Sequence, residues 1–93
     1  MSVVATARVP TEKASRYMQQ LCKHFAHKLP VTFDEHEGSI SFQIGECAMT
    51  ADGEALTITA TSPGEAELEQ LKDVIVRHLV RFAFREELPV EWA

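Results

Sequence analysis

The residues of this chain whose types could do chemistry fall into two clusters and one isolated thiol. Cys22-Lys23-His24-Phe25-Ala26-His27 places a thiol and two imidazoles in a short span, Cys47 stands alone, and Arg77, His78, Arg81 and Arg85 form a basic stretch. Thiolate and imidazole are the donors that zinc and iron take from proteins. Guanidinium is the side chain best shaped to hold a carboxylate or phosphate. Cys22, His24 and Cys47 are therefore the metal candidates, and Arg77, His78, Arg81 and Arg85 the ligand-binding candidates.

Spacing restricts what each cluster can do. At about 100° per helical residue, Cys22 and His24 project about 200° apart, so they cannot grip one ion from a single helix. His24 and His27, three apart, are neighbours on a helix surface. A metal site therefore needs Cys47 brought to Cys22 by the fold, with a histidine added. Arg77 and Arg81, four apart, share a helix flank and could hold an anion together. Against both stands a plainer reading. Cysteines often serve as small buried hydrophobes, and cations near a helix C-terminus are stabilised by its dipole.

The elements that position these residues are legible as two periods. Val3, Ala5, Ala7 and Val9 alternate with Thr6 and Arg8, the pattern of a half-buried strand ended by Pro10. Ala14, Tyr17, Met18, Leu21, Phe25 and Leu29 fall within one arc of about 120° on a helical wheel. Thr11 is the expected cap of that helix, with Glu12 in its first turn, and Pro30 ends it. Strands are expected over 31–35, 39–44, 47–51 and 55–61, with turns at Glu37-Gly38, Gly45-Glu46 and Asp52-Gly53. Thr57, Thr59 and Thr61 mark the outer face of the last strand. Ser62-Pro63-Gly64-Glu65 reads as a capping box opening a second helix, with Leu68, Leu71, Ile75, Leu79 and Phe82 on its buried stripe. Beyond it, Phe84, Leu88, Val90 and Trp92 are expected to fold back and close the core.

The order β-α-β-β-β-β-α predicts a two-layer α+β domain spanning residues 1–93. Both helices should cover one face of a five-stranded antiparallel sheet, the face bearing Val3, Phe33, Phe42, Met49 and Ile58. Successive reversals put the first strand beside the fifth, giving the order 2-3-4-5-1. That arrangement brings Cys22 and Cys47 to one end of the core and holds the basic ends of the two helices apart. A site joining His24, His27, His36 and His78 is therefore not expected.

Composition excludes several classes. With 14 acidic and 9 basic residues the net charge is −5, which argues against a nucleic-acid partner. No apolar run approaches the roughly 20 residues of a membrane span. The first residues lack the basic and continuous apolar regions of a secretory signal, so the expectation is the cytoplasm with reduced thiols. Four glycines, three of them assigned to turns, leave no phosphate-cradling loop, and no HExxH spacing or nucleophile–base–orienter set is present.

The run Ser15-Arg16-Tyr17-Met18-Gln19-Gln20-Leu21-Cys22-Lys23-His24-Phe25-Ala26-His27-Lys28 resembles the first helix of a bacterial family known as domain-of-unknown-function family 2218. Gly45-Glu46-Cys47 and His78-Leu79-Val80-Arg81-Phe82-Ala83-Phe84-Arg85-Glu86-Glu87-Leu88 share that resemblance. It covers nearly the whole chain and implies a small bacterial protein, with some family genes lying near siderophore and iron genes. The leading expectation is a non-enzymatic binding or accessory module without a cofactor, linked through the resemblance to iron or siderophore handling. Its partner would be a small anionic ligand or a second copy of the chain. The alternatives are a thiol- or metal-dependent enzyme or redox factor using Cys22, Cys47 and His24 with zinc or iron, and a homo-oligomerising structural domain.

Overall fold

The alternating segments form strands because each has one apolar face to bury. In a computed structural model that describes residues 2–83 and 88–93, β1 (Val3–Pro10) buries Ala5, Ala7 and Val9 and turns Val4, Thr6 and Arg8 outward. It is followed by α1 (Ala14–Phe25), β2 (Val31–Phe33), β3 (Glu37–Phe42), β4 (Gly45–Ala51), β5 (Ala55–Ser62) and α2 (Glu65–Phe82). All strand pairs are antiparallel and the sheet order is β1-β5-β4-β3-β2, as the reversals predict. Leu56, Ile58 and Ala60 are buried, while Thr57, Thr59 and Thr61 keep partial exposure on the other face.

Two rows of paired residues cross the covered face. One runs Ala5, Ala60, Cys47, Ile40, Val31, and the next runs Ala7, Ile58, Met49, Gly38, Phe33. Both helices pack on these rows. α1 contributes Ala14, Tyr17, Met18, Leu21 and Cys22, and α2 contributes Leu68, Leu71, Ile75 and Leu79. Each of the large aliphatic side chains buried here adds about 1.5–3 kcal/mol of transfer free energy, so this single layer is the core. Phe33 lies on the covered face as expected, but on the short outermost strand it is 38% exposed.

Several local expectations are corrected. Glu37 and Gly38 are not a turn. They pair with Thr50 and Met49 inside β3, and the chain reverses at Asp34–His36, where Asp34 Oδ1 accepts the N–H groups of His36 and Glu37. Gly45 and Glu46 likewise belong to β4, with the turn at Gln43-Ile44. The Asp52-Gly53 turn is present, with Asp52 Oδ1 accepting from Glu54 and Ala55.

Thr11 does not cap α1. It is buried, donates its N–H to Glu54 O, and accepts from the N–H of Lys13, which delays the helix to Ala14. The helix also stops at Phe25, and residues 26–28 form turns before Pro30. The capping box is absent because the buried Ser62 is still in β5, leaving Gly64 at the cap position with extended backbone.

The tail closes one edge. Leu88, Val90 and Trp92 pack half-buried against the core. Trp92 bridges Ala7, and Thr6 and Ala93 exchange two backbone hydrogen bonds. Phe84, Arg85, Glu86 and Glu87 lie outside the described residues.

Candidate functional site

The largest departure from expectation is where the two helices end. A strictly antiparallel pair would hold their basic ends apart, yet His24 of α1 and His78 of α2 stand with ring centroids 4.9 Å apart. Leu71 Cδ2 of α2 approaches within 3.0 Å of where a Cβ on Gly45 would be, so two turns into the helix it is still over the end of the sheet where β3 turns into β4. From there it reaches Phe25, whose ring is 4.9 Å from His78 and 5.0 Å from Phe42.

Around this contact the rings of His24, Phe25, Phe42, His78 and Phe82 form one continuous cluster. They meet at steep angles, 85° between His24 and Phe25 and 67° between His24 and Phe82, the edge-to-face geometry aromatic pairs prefer. His78 Nδ1 lies 2.7 Å from Val74 O. A carbonyl only accepts, so Nδ1 carries the proton and Nε2 is left to act. His24 is exposed. Its pKa is lowered, first by desolvation and then by the positive fields of His78, Arg81, His27 and Lys28. Among the described residues no carboxylate pairs with Arg81 or Lys28, whereas Arg77 is held by Asp73 at 3.0 Å. This is a surface of gathered positive charge in an acidic chain, walled by rings.

The other candidates are placed elsewhere. Cys22 and Cys47 are free, fully buried thiols. Burial pushes Cys22 up to about 11. It pushes Cys47 up to about 12, with the neighbouring Cys22 adding to the rise. Both therefore hold their protons more tightly than an exposed thiol, which slows attack and makes ligation of a metal costlier. The His24 ring packs on Phe25, His78 and Phe82. Among the described residues, no three His, Cys, Asp or Glu side chains are grouped to hold a metal ion. Arg85 lies outside the described residues.

A concavity of about 860 Å³ lies away from the ring cluster, between the outer side of α1 and the turns at Glu35, His36 and Asp52. Lys13, Arg16 and Lys23 share its lining with Glu12, Glu35 and Asp52, so its charge selects no ligand sign. The sequence missed the ring cluster because Phe25 and Phe82 read as core and the two histidines as unrelated. The signal was present in their helical positions, each at the rim of an apolar stripe.

Over residues 6–93 the chain matches a family described as an uncharacterised protein conserved in bacteria, DUF2218. The chain belongs to the DUF2218 family. The fold of this DUF2218 domain is similar to that in the NMR structure of PA4090 from Pseudomonas aeruginosa. The two share 34% sequence identity and a TM-score of 0.82, over 97% of this chain and 94% of the other. No curated protein matches the chain. Among the described residues of this DUF2218 domain, no helix is long and apolar enough to cross a membrane.

Proposed function

We propose that this protein is a non-enzymatic binding or accessory module that holds a small anionic ligand at the surface formed by His24, His78 and Arg81. The observation that carries the reading is the 4.9 Å approach of His24 to His78, which joins the cations of two helix ends into one patch. An anion seated there offsets the positive fields of His78, Arg81, His27 and Lys28, which act after desolvation to lower the pKa of His24. This reading gives the thiols no part, since both are buried. Service in the cytoplasm belongs to the same reading, and so does iron or siderophore handling, the latter through the family resemblance alone. The test is calorimetric titration of wild type and Arg81→Gln with phosphate, citrate and benzoate. Saturable binding to wild type, weakened at least fivefold in the variant, supports the module; no heat from any of the three anions sinks it.

A second reading has one observation in its favour. β2 is a short strand with an open edge, and its last residue, Phe33, is 38% exposed, a surface on which a second copy could pair. Sedimentation of wild type and Phe33→Ser separates the two readings, since only self-association through this edge responds to that change.

A further inference from the structure

We infer that the ligand of the His24–His78 surface is an aromatic carboxylate, a planar ring that lies on the exposed imidazole with its charge turned to Arg81 or Lys28; this rests on the anion-binding reading above. The argument begins with what exposed charge can do. His24, Lys28 and Arg81 all stand at the surface, and ion pairs in high dielectric gain little and are screened by salt. Charge alone would thus give an inorganic anion only loose, salt-sensitive attachment. Any selective ligand must draw affinity from a second kind of contact.

The rings supply that contact. His24 touches Phe25, His78 and Phe82 at interplanar angles of 85°, 44° and 67°. These are tilted or edge contacts rather than parallel stacks, and His24 stays exposed among them, so part of its imidazole is open to solvent. Phe25 is fixed from behind by Phe42, and His78 is fixed by its bond to Val74 O. The platform is therefore oriented before any ligand arrives, which limits the ordering cost of binding. An aryl ring gains stacking there that a saturated ring of equal size does not. The neighbouring cations then select the anionic member of any aromatic pair.

The experiment compares benzoate, cyclohexanecarboxylate, benzyl alcohol and phosphate, titrated into the full chain while the ring signals of His24 and His78 are followed by NMR. Benzoate should bind at least fivefold more tightly than cyclohexanecarboxylate or benzyl alcohol, with upfield ring-current shifts at His24. Phe82→Leu keeps an apolar side chain but loses a ring, and should shrink the advantage of benzoate over cyclohexanecarboxylate. Equal binding of the two carboxylates overturns the aromatic preference and leaves the anion-binding reading standing. Equal binding of benzyl alcohol overturns the requirement for charge. Silence from both carboxylates and from phosphate overturns this inference and the proposed function together.

Discussion

The Cβ that Gly38 lacks would stand 2.8 Å from Cys22 Sγ, with Met18 Cγ at 3.3 Å. α1 packs on the sheet over this bare position, and the two sulfur-bearing side chains fill the space a side chain on β3 would take. Gly38→Ala should therefore cost about 1–3 kcal/mol by overpacking. In a Cys22→Ala background the same change should cost markedly less, because the atom it strikes is gone. A double-mutant cycle by urea denaturation measures the coupling; additive costs would show that the contact does not limit the approach.

That relationship also shows what the sequence could and could not reveal. Strand identity and order were legible because Ala5, Ala7 and Val9, or Leu56, Ile58 and Ala60, write a period of two that only a one-sided sheet satisfies. Gly38 was misread because a glycine after an acid looks like a turn, and only the tertiary approach of α1 explains why the strand is bare there. Ser62 was misread for a similar reason. Its caps-and-proline context is local, whereas β5 continues through it by pairing with Val3. The meeting of His24 and His78 depends on how α2 is placed over the sheet, which no periodicity encodes.

Gly45 and Gly53 should respond in opposite ways to alanine. Gly45 has a φ of +154°, and a Cβ there would collide with Thr61 O. Both strain and collision oppose a side chain, and Gly45→Ala should cost on the order of 3 kcal/mol. Gly53 has nothing within 4 Å of its absent Cβ and no positive φ. Gly53→Ala should be neutral or stabilise by up to about 1 kcal/mol through the unfolded chain. Thermal melts of the two variants decide it; a large loss at Gly53 would contradict the open turn.

The thiols give a chemical prediction. With Cys22 raised to about 11 and Cys47 to about 12, neither supplies thiolate at pH 8. Thiol titration of native protein should be slow at both positions and become fast only in denaturant. Cys47→Ala should cost about 1–2 kcal/mol through lost packing. Rapid labelling of the native protein, or zinc or iron copurifying at one equivalent, would return Cys22 and Cys47 to a functional role.

His24 predicts a pH dependence whose sign follows from its lowered pKa. Between the folded value and the unfolded value of 6.5, the unfolded chain binds the extra proton, so stability rises with pH. The His24 contribution is full above the unfolded value and is lost as pH falls through the folded one. The melting temperature should thus decline from pH 7.5 to 5, and His24→Gln should flatten that decline. A bound anion favours the protonated ring, so benzoate affinity should rise over the same interval. An identical slope in wild type and variant would show that His24 does not titrate abnormally.

The tail makes the most local prediction. In β1, Ala5 and Ala7 face Ala60 and Ile58 across the ladder, while Thr6 exchanges backbone hydrogen bonds with Ala93 on the other side. Antiparallel pairing alternates in this way, so the Thr6 N–H has its protection from the tail and not from the sheet. The Trp92 side chain holds the tail in place by packing half-buried against the core, with Lys72 Nζ 6.0 Å from the centre of its ring. Trp92→Ala should therefore raise amide exchange at Thr6 by at least tenfold while Ala5 and Ala7 change little, because their partners in β5 remain. The exposed edge should also promote association at high concentration, since an open strand edge is a template for a second chain. Exchange measured by NMR on dilute protein separates the two effects. Equal acceleration at all three amides would mean that the tail stabilises the whole sheet rather than covering its edge.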